Sequence, residues 1–252
     1  MISDIKYIDT FGFKVFSDNL NKIKLESRIK LLNTISPNSY GISTKDASFA
    51  ESLKKSDYLV LDGVYFALAS IFLQRRNIQK NQGPDVFYHF MDRINTSKGK
   101  VFFLGSKEST LVKIKERVKK DYPNIEIDYY SPPFKEEFSD EDNRKMIEVI
   151  NNFNPDILFV GMTCPKQEKW SFQHKENLDT KLICCIGAVF DWYAGNQKEI
   201  SPIWWKLRLA WVIRIIHRPE ILGRLSNVMI FFKDLLLVFL RIKKITNNLN
   251  VI

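Results

Sequence analysis

The stretch DILFVGMTCPKQEKWSFQH, residues 156–174, contains in one piece the unit from which the fold is built. Its apolar first part predicts a buried strand, and Pro165 suits the first turn of the helix that follows. Four long polar side chains stand at the start of this helix: Lys166, Gln167, Glu168 and Lys169. A plain turn needs only glycine, asparagine or aspartate. We therefore interpret the junction as the rim of a ligand site.

The same alternation of strand and helix runs along most of the chain. Further strands are predicted at LLNTIS, YLVL, KVFFLG, IEIDYY and KLICCIGAVF. Helices are predicted at 46–55, GVYFALASIFLQ, VFYHFMDRIN, STLVKIKERVKK and DEDNRKMIEVINNF, the last with Ser139 as its cap and Asp142 completing a capping box. Gly12 suggests a small hairpin within the first 30 residues. The pattern predicts an α/β fold, a mostly parallel Rossmann-like sheet with helices on both faces.

The composition is that of a soluble protein with reduced cysteines. Of the 252 residues, 45% are hydrophobic and 27% are charged. The three cysteines are odd in number, and two of them are adjacent in an apolar run, so we expect buried thiols and no metal site. The first residues show no signal-peptide pattern, and no uncharged apolar stretch reaches about 18 residues. These features predict a cytoplasmic protein that does not span a membrane.

Most of the positive charge lies at the end of the chain. Residues 201–252 contain nine Lys or Arg against Glu220 and Asp234, so +7 of the net charge of +9 is in this segment. Aromatic residues are interleaved with these charges: Trp204, Trp205, Trp211, Phe231, Phe232 and Phe239. The combination suits an anionic membrane surface or a nucleic acid, while a solvated helix face stays open as an alternative. We place an α/β domain at 1–198 and a helical, basic appendage at 199–252.

Polar residues next to glycine or proline follow five of the predicted strands. Parallel sheets bind ligands at the carboxyl ends of their strands, which here are residues 34–37, 62–63, 105–107, 161–167 and 187–191. Glycine lets a ligand approach the backbone, and the free N–H groups of the next helix suit phosphate. The turn LGSKES has one glycine and matches neither a dinucleotide fingerprint nor a Walker loop. A nucleotide-dependent dehydrogenase and an ordinary NTPase are therefore disfavoured.

Four segments, in order, are similar to a known family. FFLGSKE, DYPNIEI, PDILFVGMTCPKQEKW and IGAVFDWYAG resemble the WecG/TagA/CpsF glycosyltransferases of bacterial cell-surface polymer synthesis, with similarity over roughly residues 31–225. The resemblance implies transfer of N-acetylmannosamine, or its uronic acid, from a UDP-sugar. The acceptor would be N-acetylglucosamine on undecaprenyl diphosphate, a polyprenyl diphosphate lipid. It also implies inversion at the anomeric carbon and no metal or other cofactor.

The resemblance also assigns roles to residues. Asp62 matches the family's catalytic base, although a carboxylate at a strand exit otherwise caps a helix. Thr34 and Gln167 match sugar contacts, Asp191 is expected near the uridine, and Arg214 and Arg224 match arginines that bind the diphosphate. The remaining expected substrate contacts lie at strand exits or in family motifs: Ser36, Lys80, Gly105, Gly161, Lys166 and Gly187. The appendage would close over the active site and dock on the inner face of the cell membrane.

Several positions depart from the family pattern. Ser36 replaces an amide in the sugar-binding motif, and Lys80 replaces an arginine and so loses its planar two-point grip. Leu61, Ala210 and Ile221 stand where proline, glutamate and arginine are usual. Because Asp62 and Gln167 are retained, we expect an active transferase with a shifted sugar preference.

Three alternatives follow from the same residues. The acidic triplet 140–142 resembles a metal-binding D-x-D, but acids in the first turn of a helix are favoured by its dipole, so we interpret them as structural. A nucleic-acid-binding protein would use the basic tail, whereas the motifs lie at the strand exits, so we predict no nucleic acid. A non-catalytic subunit that binds lipid-linked sugar is the third alternative. Exposed tail aromatics leave a homo-oligomer open.

Overall fold

A computed structural model describes residues 5–62, 81–196, 204 and 219–242, with 219–221 described as backbone only. Its centre is a sheet of six parallel strands in the order β4-β3-β8-β7-β5-β6. The strands are β3 (Lys30–Ile35), β4 (Tyr58–Leu61), β5 (Lys100–Leu104), β6 (Glu126–Tyr130), β7 (Ile157–Val160) and β8 (Leu182–Cys185). The predicted α/β fold with a mostly parallel sheet is confirmed.

Helices cover both faces of this sheet. They are α1 (Pro37–Ser43), α2 (Ala47–Lys54), α3 (Gly83–Ser97), α4 (Glu108–Asp121), α5 (Asp140–Phe153), α6 (Lys166–His174), α7 (Val189–Tyr193) and α8 (Leu225–Phe239). Short 3-10 turns span Leu20–Lys22, Lys175–Asn177 and Pro219–Arg224. Phe87 of α3 and Ile114 of α4 pack on one face, and Met146 of α5 and Trp170 of α6 pack on the other. The sheet is covered on both sides, so every residue of β4, β7 and β8 is buried.

Two local predictions are confirmed in detail. Ser139 caps α5, its hydroxyl accepting the Asp142 N–H at 3.2 Å while the Asp142 carboxylate accepts the Ser139 N–H at 2.9 Å. The hairpin near Gly12 pairs β1 (Tyr7–Thr10) with β2 (Phe13–Phe16) in antiparallel register. Gly12 has a positive φ of 77°, which this tight turn needs. The helix predicted at GVYFALASIFLQ lies outside the described residues.

Two predicted boundaries are wrong. KLICCIGAVF was expected to be one strand, but β8 ends at Cys185 and α7 begins at Val189. Gly187, with φ of +51°, turns the backbone out of the sheet, and Phe190 then packs on Phe103 with ring centroids 5.3 Å apart. The strand predicted at LLNTIS, residues 31–36, lies one residue earlier, at Lys30–Ile35, and Thr34 pairs with Val60 near its carboxyl end. The short helix α1, which follows directly, was not predicted.

The last described helix packs tightly on α1. A Cβ atom placed on Gly41 of α1 would lie 2.2 Å from the Asn227 carbonyl oxygen of α8, so the two backbones touch at this point. The buried Tyr40 hydroxyl donates to the Asp234 carboxylate at 2.7 Å. Phe231 contacts Phe11 and Tyr40 at centroid distances of 5.0 and 5.7 Å. The expected domain boundary at 198/199 lies outside the described residues, in which no helix is both long and apolar enough to cross a membrane.

Candidate active site

The carboxyl ends of the parallel strands meet at one edge of the sheet, and Asp62 lies there. It follows β4 directly and is partly exposed. Its N–H donates to the Ile35 carbonyl of β3 at 2.8 Å, which places the start of the Asp62 segment beside Ser36. The structure therefore brings the expected base next to the end of β3, which carries Thr34 and is followed directly by Ser36.

Ser36 has a structural task at this edge. Its hydroxyl accepts the Ser39 N–H at 3.2 Å, and its own N–H donates to the Ser39 hydroxyl at 3.2 Å. The pair forms a capping box at the start of α1, and Pro37 is suited to the first turn. A serine at this position thus caps a helix. The sequence analysis considered Ser36 only as a replacement for an amide in the sugar-binding motif and did not predict this capping role.

The glycines after β5 and β7 are explained by close packing. A Cβ on Gly105, which has φ of +102°, would lie 2.8 Å from the Met162 side chain and 3.0 Å from the Gly161 carbonyl. A Cβ on Gly161 would lie 2.4 Å from the Phe190 ring. Packing therefore excludes a side chain at both positions.

The two lysines at the start of α6 both contact protein. Lys166 donates to the Lys135 carbonyl and places its ammonium group 3.6 Å from the centre of the Phe138 ring. Burial lowers the pKa of Lys166. Lys169 pairs with Asp46, which caps α2, at 3.1 Å. These contacts tie α6 to the β6–α5 loop and to α2.

Between these lysines, Gln167 and Glu168 are buried. Only 3% of Gln167 and 1% of Glu168 is exposed. The Gln167 Nε2 donates to Glu168 Oε1 at 2.8 Å, while Gln167 Oε1 and Glu168 Oε2 have no hydrogen-bond partner. Burial raises the pKa of the Glu168 carboxyl to about 7. The sequence analysis named Glu168 among the four polar side chains but gave it no role of its own; its adjacency to Gln167 at a strand exit was the available signal.

Two thiols border this buried pair. Burial, and next the charge of Glu168, raise the pKa of Cys164, while the positive charge of Arg224 acts in the opposite direction. The Cys185 thiol donates to the Ser171 hydroxyl at 3.2 Å, and burial raises its pKa as well. Both thiols are therefore neutral at ordinary pH. Cys164 also packs against the apolar cluster that contains Phe231, so α8 lies near the start of α6.

The remaining expected residues are distributed as follows. Gly187 lies against the Gln167 amide, since an added Cβ would be 3.5 Å from both of its terminal atoms. Asp191 is partly exposed in α7, and its carbonyl accepts the Asn196 N–H at 2.9 Å. Lys80 and Arg214 lie outside the described residues, as do Ala210 and the side chain of Ile221.

The acidic triplet at 140–142 takes part in helix capping. Asp142 completes the α5 capping box and pairs with Lys135 at 2.7 Å. The hydrogen bond from Lys135 is the main cause that lowers the pKa of Asp142 to about 2. Across the parts of the chain that the structure describes, no group of three His, Cys, Asp or Glu residues could hold a metal ion.

Comparison with known proteins gives the same family as the motifs. The profile of the "Glycosyl transferase WecG/TagA/CpsF family" matches residues 5–245. An N-acetylglucosaminyldiphosphoundecaprenol N-acetyl-beta-D-mannosaminyltransferase of Bacillus subtilis (strain 168) is 27% identical over 86% of this chain and 83% of its own. The protein of the same name from Staphylococcus aureus (strain MRSA252) is 25% identical over 97% of this chain and 90% of its own. The match covers nearly the whole chain, so this protein is a glycosyltransferase and belongs to the WecG/TagA/CpsF family.

Proposed function

We propose that the protein transfers an N-acetylhexosamine of the N-acetylmannosamine type from a UDP-sugar to N-acetylglucosamine carried on a polyprenyl diphosphate. The names of the Bacillus and Staphylococcus relatives support this acceptor and this sugar. The observation that carries the proposal for this chain is Asp62, a partly exposed carboxylate at the carboxyl end of β4, beside the end of β3. Parallel sheets bind and convert their ligands at this edge.

The proposed reaction is a direct displacement with inversion. The Asp62 carboxylate accepts the proton of the acceptor hydroxyl while that oxygen forms a bond to the anomeric carbon of the sugar. On the opposite side, the bond from this carbon to the diphosphate breaks, and its electron pair leaves with UDP. Arg214 and Arg224 neutralise the charge that develops on UDP, so that no metal ion is required.

The other site residues hold the donor. Thr34, Ser36 and Gln167 are proposed to contact the sugar, and Asp191 the uridine. Lys80 and Lys166 add positive charge near the phosphates. Gly105, Gly161 and Gly187 let the donor approach the backbone. The substitutions at Ser36 and Lys80 change the contacts to the donor, and we infer a sugar preference that differs from the relatives'.

The appendage, residues 199–252, is proposed to dock the catalytic domain, residues 1–198, on the anionic inner face of the cell membrane. An exposed apolar stripe with helical spacing supports this: Leu225, Met229, Phe232, Leu236 and Phe239. Exposed Arg224, Lys233 and Arg241 accompany the stripe. Each basic residue near an anionic leaflet contributes about 1 kcal/mol, so the net charge of the tail suffices to hold the protein there.

Release of UDP by the purified protein tests the proposed function. A panel of UDP-N-acetylhexosamines is offered with a short-chain prenyl-diphosphate-linked N-acetylglucosamine acceptor, without added metal. We expect turnover with at least one donor. Asp62→Asn should lower kcat at least about 100-fold, the usual scale of a general base, and leave UDP binding intact. Lys169→Ala, which removes a partly exposed ion pair in the neighbouring helix, is the matched control and should keep full turnover.

Two outcomes would contradict the proposal. If no donor yields UDP, the chain is not this transferase. In that case, binding of UDP-sugar and lipid without turnover would favour the non-catalytic subunit. If Asp62→Asn turns over at the unchanged rate, Asp62 is not the base.

A further inference from the structure

The adjacent side chains of Gln167 and Glu168 each have a buried oxygen atom that accepts no hydrogen bond. Among the described residues, four buried side-chain atoms lack a hydrogen-bond partner, and two of them are Gln167 Oε1 and Glu168 Oε2. A buried acceptor without a partner costs about 1–3 kcal/mol, and proteins rarely leave one in place. Two such acceptors on adjacent residues, at the ligand-binding edge of the sheet, indicate that a ligand group completes the site.

Glu168 determines which way the Gln167 amide faces. A carboxylate only accepts hydrogen bonds, so the amide must turn its Nε2 towards Glu168, as the 2.8 Å contact shows. This leaves the Gln167 Oε1 as the end of the amide that is free to accept. The amide borders Gly187, where a Cβ would stand 3.5 Å from both amide atoms. Gly187 places no side chain against this face of the amide.

Two thiols also interact with Glu168. Burial keeps the thiols of Cys164, in the β7–α6 loop, and Cys185, in β8, protonated. Cys164 also forms a hydrogen bond with Glu168, which affects the Glu168 pKa less than the hydrogen bond from Gln167 does. Arg224 acts on Cys164. Gln167 is thus the neighbour that donates a short hydrogen bond to the carboxylate.

We propose that Glu168 is a positioning residue that fixes the Gln167 amide, so that the site selects a hydrogen-bond donor on the sugar nucleotide. The group selected is a hydroxyl of the sugar. A group that can only accept would face the Gln167 oxygen with its own lone pairs and be rejected. The inference rests on the proposed function, because it takes the ligand to be the UDP-sugar donor.

Deoxyfluoro analogues of the donor test this selection, because fluorine occupies the place of a hydroxyl and cannot donate. Binding of the preferred UDP-N-acetylhexosamine and of its analogues, each with one hydroxyl replaced, is measured by calorimetry, and kcat and KM are measured alongside. In the wild type we expect at least one analogue to have a Kd at least about tenfold higher than that of the unmodified donor. The ratio of these two Kd values measures the selection for a hydroxyl. In Glu168→Gln we expect this ratio to fall to about threefold or less, because an amide at 168 satisfies Gln167 in either orientation.

A double-mutant cycle separates positioning from a general structural role. If Glu168 acts through Gln167, Glu168→Gln lowers the ratio of the analogue Kd to the donor Kd when it is introduced into the wild-type protein. The same substitution leaves this ratio unchanged when it is introduced into Gln167→Ala. Lys169→Ala should keep the wild-type ratio. An unchanged ratio in Glu168→Gln, or effects of the two substitutions that simply add, would overturn the proposal.

The wild type offers a second measurement that does not depend on folding of a variant. Protonated Glu168 can donate, which allows the amide to turn its nitrogen towards the ligand. The preference for hydroxyl over fluorine should therefore weaken as the pH falls through the Glu168 pKa of about 7. A preference that is constant across this range would count against the proposal. If the wild type binds UDP-sugars with this preference but releases no UDP, the transferase function fails and the positioning role stands.

Discussion

At the scale of single residues, the four polar side chains at the start of α6 serve different purposes. Lys166 and Lys169 fasten the helix to its neighbours, while Gln167 and Glu168 point into a buried space. Successive helical residues point about 100° apart, so a run of similar side chains is divided between surface and interior. The sequence predicted that these polar side chains form the rim of a ligand site. It could not predict the burial of Glu168, because this depends on contacts with distant segments.

The pH dependence of stability gives a residue-scale prediction for Glu168. Burial raises the pKa of this carboxyl from 4.5 to about 7, so the folded state binds the proton more tightly than the unfolded state. The free energy of unfolding should therefore fall as the pH rises from about 4.5 to about 7, by about 3 kcal/mol, and level off above. Urea unfolding of the wild type and Glu168→Gln, near pH 5 and near pH 8, measures this difference.

The side chain introduced by Glu168→Gln cannot ionise. The free energy of unfolding of this variant should therefore lack the pH-dependent contribution of Glu168. Relative to the wild type, we expect the variant to gain stability between the two pH values by about 2–3 kcal/mol. Other titrating groups are common to both proteins and cancel in the comparison. Parallel pH curves for the two proteins would show that Glu168 titrates normally.

At the scale of elements, periodicity and caps predicted most of the sheet and its helices. Apolar runs identified the strands, and Ser139 with Asp142 identified the start of α5, because these signals are local. The end of β8 was missed because Val189 and Phe190 continue the apolar run although their backbone is helical. Helix α1 was missed because it has only seven residues and includes proline, glycine and three polar side chains, with no clear apolar stripe.

The contact between α1 and α8 yields an element-scale prediction. Replacing a glycine inside a helix by alanine ordinarily stabilises it by about 1 kcal/mol. At Gly41 the new methyl group would lie 2.2 Å from the backbone of Asn227, so α8 must shift away. Gly41→Ala should instead lower the free energy of unfolding by about 1–3 kcal/mol, as overpacking does.

Chemical denaturation measures the effect, and limited proteolysis shows whether α8 is released first. Gly223→Ala is the matched control, since a Cβ there would meet nothing within 4 Å. Equal stability of Gly41→Ala and the wild type would mean that the two helices can separate without cost.

At the scale of the whole molecule, helix α8 lies close to the candidate site through its contact with α1. Helix α1 begins at the exit of β3 and packs against α8, and Cys164 packs against the cluster that contains Phe231 of α8. The sequence placed the cations in the tail and the motifs at the strand exits. It could not show that α1 connects the strand exits to α8, because the contact between α1 and α8 links segments almost 200 residues apart.

The exposed stripe of α8 gives the last prediction, on membrane binding. Buried Phe231 and Asp234 hold one face of the helix, so Met229 and Phe232 project from the other. With the net charge of +7 in residues 201–252, the protein should bind anionic phospholipid vesicles and bind neutral ones far more weakly. Added salt should weaken this binding, because the Debye length falls to about 8 Å at 0.15 M.

Phe232→Ser should weaken vesicle binding about tenfold, the effect of withdrawing one aromatic side chain from an apolar phase. Phe134→Ser is the control, because Phe134 is fully exposed on the loop between β6 and α5 and is not part of the α8 stripe. Co-sedimentation with vesicles of defined anionic content measures both variants, and circular dichroism checks that they fold. Equal losses for the two variants would mean that general surface hydrophobicity, and not the α8 stripe, brings the protein to lipid. Retention of full binding by Phe232→Ser would assign the attachment to charge alone.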